Sequence, residues 1–139
     1  MSDFKIFQHK YLFTLAKFGL ILIFGLVLVF HLCVLLNFVP IDRVWGGKIA
    51  DTTNIYLVES IALGLVLMML MTVLLKTQVI KNSFSPKTLR NILYAMLLFF
   101  ILNTVGNLLS ENSIEKMVAA PVTLLITFLL MVLVLYQQD

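Results

Sequence analysis

Four polar side chains interrupt long apolar runs in this chain: His31, Glu59, Asn103 and Asn107. A carboxyl and an imidazole are the minimum for acid–base work, one holding the proton that the other takes. Asparagine amides add donors and acceptors that orient a substrate or join two helices. Each residue also has a plainer reading. Glu59 can exchange a proton or pair with a cation, or it can sit near a helix N-terminus, favoured by the dipole and paired with Arg43 or Lys48. His31 can relay a proton, or simply hydrogen-bond across a helix interface. Asn103 and Asn107 are four apart and share a helix face. There they act as substrate contacts or as interhelical glue, with Gly106 letting a neighbouring backbone approach. One His and one Glu fall short of the three or four protein ligands that a metal site takes, and His9 belongs to the opposite side of the membrane. No metal and no cofactor is expected. Phosphate loops, nucleophile elbows and H-x-x-x-H or H-E-x-x-H patterns do not occur.

The elements that must position these groups are membrane-spanning helices. The chain is 61% hydrophobic and 12% charged over 139 residues, and its mean hydropathy is +1.05. Soluble domains carry about a quarter charged residues, and a chain this short could not hide so much apolar surface. The single Cys33 lies inside the first apolar run, where it reads as an inert small hydrophobe. It excludes an intramolecular disulfide, and with it the thiol–disulfide chemistry of small quinone-linked oxidoreductases. The formal charge of +3 comes from lysines and arginines scattered around the spans rather than from a basic face. Nucleic acid is therefore not an expected partner, and the lipid bilayer is.

The pattern predicts an all-α fold: one domain over 1–139, an integral-membrane four-helix bundle in up-down-up-down order, with spans at about 18–39, 53–75, 89–109 and 117–136. Lysines among Phe4, Phe7, Tyr11 and Phe13 suit a segment lying at, then entering, the membrane surface. Pro40 is expected to end the first span at Val39. Asp51 is expected to cap the second helix, and Ser85-Pro86 to open the third. Asn112 with Glu115 reads as a capping box for the fourth. Seven Lys and Arg lie on one side (Lys5, Lys10, Lys17, Lys76, Lys81, Lys87, Arg90) and three on the other (Arg43, Lys48, Lys116). The positive-inside rule then puts both termini in the cytoplasm of a plasma-membrane protein. Helical rise puts His31 roughly 12 Å and Glu59 roughly 8 Å below the outer boundary, with Asn103 and Asn107 roughly 9 and 3 Å below it. The polar cluster thus occupies the outer half of the bilayer. Above it lies a loop of Asp42, Arg43, Trp45, Gly46, Gly47 and Lys48. Its glycines permit a sharp turn, and its tryptophan is either an interface anchor or part of a lid.

Val39-Pro40-Ile41-Asp42, Val44-Trp45-Gly46-Gly47-Lys48, Glu59 just inside span two, and Asn103-Thr104-Val105-Gly106-Asn107 with Glu115 and Pro121 together resemble a group of short four-span bacterial integral membrane proteins. The resemblance covers nearly the whole chain and implies an architecture, not an activity. Small multidrug-resistance transporters are also short and four-spanning. They carry their essential acid in the first span, where this chain has none. Three functions compete. The first is a non-enzymatic protein whose polar cluster holds the bundle together, as a homo-oligomer or a membrane-complex subunit. The second is a proton-linked carrier using Glu59 and His31. The third is an enzyme acting on a lipid or quinone, which requires His31 and Glu59 to converge within hydrogen-bond reach. Non-enzymatic function is the leading expectation.

Overall fold

The computed structural model describes residues 2–39, 52–81, 84–111, 113 and 115–136. The described residues form helices: α1 (Ser2–Leu35), α2 (Thr52–Lys76), α3 (Pro86–Leu109) and α4 (Ala120–Leu135), with a π-helical turn over Glu115–Ala119 leading into α4. Four stretches are long and apolar enough to cross a membrane: Lys10–Leu35, Asn54–Lys76, Pro86–Leu109 and Lys116–Leu135. Their most apolar windows are only 17 to 39% buried inside the bundle. The exposed remainder includes Leu22, Leu26, Leu57, Leu102 and Leu124, each about three-fifths accessible. A water-soluble bundle would turn one apolar stripe inward and cover the rest with charge. Helices that are apolar all round need a nonpolar solvent.

Local sequence explains where the helices stop. The α1 helix ends at Leu35, short of the expected boundary at Val39. Asn37 takes the left-handed conformation at φ 59°. The Asn37 N–H then donates to the Val34 carbonyl and the Phe38 N–H to that of Cys33. This is a Schellman closure, in which the left-handed residue turns the chain back on its last carbonyls. Asparagine tolerates that conformation better than most residues, so α1 is stopped before Pro40 has any say. The same closure ends α2: Gln78 has φ 55°, and Gln78 and Val79 donate to the carbonyls of Leu75 and Leu74. At the start of α3, Ser85 Oγ accepts from the Thr88 N–H at 3.1 Å, with Pro86 in the first turn, as the sequence suggested. The capping box expected at the α4 entrance rests on Asn112, which lies outside the described residues, as does Asp51. The turn from Glu115 is π-helical. A proline ring crowds the carbonyl four residues back, and here that is Met117. A widened turn before Pro121 relieves the crowding.

The core is built from Ala16, Leu20 and Phe24 of α1, Met69 and Val73 of α2, Leu93, Met96 and Phe100 of α3, and Ile126, Leu129, Leu130 and Leu133 of α4. Packing is closest within the α1–α2 and α3–α4 hairpins; α1 against α4 joins the hairpins, and of the neighbouring pairs α2 and α3 meet least. Near the chain ends Phe13 stacks on Tyr136 with ring centroids 4.2 Å apart. The start of α1 and the finish of α4 therefore share one end of the bundle. A close contact on a glycine does occur, but at Gly19, where a Cβ would meet the Leu129 side chain at 3.0 Å from Cδ1. Gly106 had been expected to serve that purpose, and it faces open space instead.

Candidate functional site

Most polar side chains in the spans are satisfied by their own helix. The hydroxyls of Thr72, Thr77, Thr104 and Thr127 donate to the carbonyls four residues back at 2.7 to 2.9 Å. Thr123 does the same toward Ala119 and Ala120. These groups demand nothing of a neighbour. A carboxyl in mid-helix cannot use that solution, because an ionised carboxylate only accepts and the nearby carbonyls do not donate.

Glu59 is fully buried, and its Oε2 lies 2.6 Å from Nδ1 of His31 on α1. The imidazole is 12% exposed. Depth along a helix predicted a common level, and the rotation of α1 against α2 supplies the contact. Because α1 closes at Leu35, His31 sits only four residues from its end, about 6 Å. A carboxyl and an imidazole in hydrogen-bond contact satisfy each other's polar atoms, as a buried pair away from water requires. One layer nearer the helix ends, Tyr56 Oη donates to Asn37 Oδ1 at 2.7 Å. The α1–α2 hairpin is thus pinned by two polar contacts in tandem.

Asn103 and Asn107 do share a face, and Asn107 Nδ2 donates to Asn103 Oδ1 at 3.3 Å. That bond stays within α3 and does not join two helices. Asn103, but not Asn107, lines a cavity of about 270 Å³ whose wall also includes His31. All four helices contribute to it: Phe24 and Val27 from α1, Ala62, Leu65, Val66 and Met69 from α2, Phe99 and Phe100 from α3, and Val122, Thr123 and Ile126 from α4, with Ala119 just before it. The space exists because Ala62 and Ala119 put small side chains where the bundle would otherwise fill. The rim reaches the surface at Leu65 and Phe99, which are 41% and 47% exposed.

Two of the four expected polar residues, His31 and Asn103, thus line one cavity, with Glu59 braced behind His31 and Asn107 behind Asn103. Asp42, Arg43, Trp45, Gly46, Gly47 and Lys48 lie outside the described residues. Among the described residues no three His, Cys, Asp or Glu side chains come together in a group able to hold a metal ion. The cavity itself was not anticipated; its sequence signal is the pair of alanines at the level of Asn103, inside otherwise bulky spans. No family model, curated protein or solved structure matches the chain, so the four-span bacterial resemblance gains no support from known proteins.

Proposed function

We propose that this is a small multispan protein of the plasma membrane, with both termini cytoplasmic, whose role is binding or assembly rather than catalysis. Support comes chiefly from one observation: the fully buried Glu59 meets His31 at 2.6 Å inside a single helical hairpin. A group placed so serves first to lock α1 against α2. Seven Lys and Arg toward one end and three toward the other support the orientation. In a Cys33→Ser background, single cysteines introduced at residues 2 and 138 are expected to react with an impermeant thiol reagent only after the cytoplasmic face is opened. Labelling of either from outside intact cells overturns the orientation.

The same pair supports a second reading. Acid and base lie within hydrogen-bond reach beside a cavity, as a proton-linked carrier or an enzyme acting on a lipid or quinone would need. Proton flux into liposomes separates the two, measured for the native protein and Glu59→Gln, with the thermal stability of each recorded. No flux in either, with the substitution lowering only the melting temperature, is the expected result. Flux in the native protein that is lost in a stably folded Glu59→Gln variant gives the site to the carrier.

A further inference from the structure

We propose that the cavity among the four helices is a binding site for the head of a neutral, ring-bearing membrane lipophile of the quinone class, entered sideways between α2 and α3. The proposal concerns binding and includes no electron transfer. It relies on membrane insertion but not on which way the chain is oriented or whether it moves protons.

Size sets the first limit. A cavity of about 270 Å³ is nearly twice the roughly 150 Å³ that accommodates benzene in an apolar protein interior. That is space for a single substituted ring. The walls set the second. Phe24, Phe99 and Phe100 line it, and flat aromatic surfaces favour a flat guest.

Polarity and charge set the rest. Asn107 occupies Asn103 Oδ1, which leaves the Asn103 Nδ2 hydrogens to donate to a guest. Glu59 occupies His31 Nδ1, which leaves Nε2 as that ring's other hydrogen-bonding atom. An amide donor and an imidazole nitrogen at one end of an apolar pocket match a ring bearing carbonyl or hydroxyl oxygens. The cavity wall carries no Lys, Arg, Asp or Glu, so nothing in it selects a charged head.

The entrance follows from packing. Leu65 on α2 and Phe99 on α3 stand exposed at the rim, and these two helices are the least closely packed of the neighbouring pairs around the bundle. In a bilayer that seam faces acyl chains, not water. A guest with a long apolar tail can seat its ring inside and leave the tail among the lipids.

The test uses purified full-length protein in phosphatidylcholine nanodiscs, titrated with decylubiquinone and, separately, with decylbenzene, which has the tail and a ring but no oxygens. Binding is followed by titration calorimetry and native mass spectrometry. Saturable uptake of one decylubiquinone per chain is expected, with decylbenzene at least about tenfold weaker. Asn103→Leu should lose about tenfold in affinity for decylubiquinone, as one hydrogen bond to the guest disappears. Ala62→Phe fills the cavity and should abolish uptake while leaving helicity and melting temperature near native. Val122→Trp, at the cavity wall, serves if Ala62→Phe does not fold. Equal affinity for the two probes overturns the head recognition, and unchanged binding in a folded cavity-filled variant overturns the location. A tightly retained phospholipid that is lost in Ala62→Phe, with no quinone uptake by the native protein, assigns the space to an acyl chain and overturns the proposal. These outcomes are independent of cysteine labelling and proton flux, so each reading fails on its own measurement.

Discussion

Glu59 and the buried threonines meet the same difficulty, a polar group out of water, in ways that respond differently to mutation. A threonine carries its acceptor with it, one helical turn back, and Thr→Val at such a site removes donor and need together. Glu59 depends on a residue of another helix. His31→Leu therefore leaves a fully buried carboxyl without its imidazole partner, and a loss of about 3–5 kcal/mol is expected. Replacing both, His31→Leu with Glu59→Leu, removes the charge problem as well as the contact, and should restore most of that loss. Reversible unfolding in mixed micelles, read by circular dichroism across the four proteins of the cycle, measures the coupling. An additive double variant would mean that the pair is not a latch. At this scale depth was legible and direction was not. Helical rise put His31 and Glu59 at similar depths, whereas their 2.6 Å contact depends on how α1 is turned about its axis. The α1 and α2 spans are apolar on every side, so no apolar stripe sets that rotation. Gly106 illustrates the same gap: it was read as a packing glycine and stands in open space.

Helix ends were easier to read where a side chain does the capping and harder where backbone conformation does. Ser85 and Pro86 are found in the positions their chemistry favours, cap and first turn. The two Schellman closures rest on Asn37 and Gln78 adopting positive φ, and neither is the glycine that usually announces such a turn. Two substitutions at Asn37 isolate the conformational part. Both Asn37→Gly and Asn37→Ala delete the acceptor of the Tyr56 hydroxyl, so that loss cancels between them. Alanine alone bears a Cβ in the left-handed region, and Asn37→Ala is expected to be less stable than Asn37→Gly by about 1 kcal/mol. Thermal unfolding of the pair in the same detergent decides it, and equal midpoints would show that the turn relaxes at no expense. Pro121 lies in the early turns of the fourth span. That it is accommodated by a π-helical turn over Glu115–Ala119 depends on the register of carbonyls around it, which composition does not disclose.

The whole molecule is two helical hairpins joined along α1 and α4, with α2 and α3 barely closing the ring. The count of four apolar helices was legible because span length is fixed by the bilayer. Their arrangement was not, since it depends on close fits such as Gly19 against Leu129, with 3.0 Å left for a Cβ. Gly19→Val should therefore wedge the hairpins apart and lower stability by roughly 1–3 kcal/mol. Gly106→Ala meets nothing within 4 Å and should be neutral or stabilising by up to about 1 kcal/mol. Comparing the two in one denaturation series tests whether the α1–α4 joint holds the hairpins together; equal effects would argue against it.

The hairpin division also bears on how the chain is made. The imidazole that meets Glu59 lies 28 residues earlier, in the same hairpin, and emerges from the ribosome first. If α2 enters a bilayer as proposed, its one in-span acid finds a hydrogen-bonding companion on α1 that is already made. The first hairpin then brings that contact with it before α3 and α4 are synthesised.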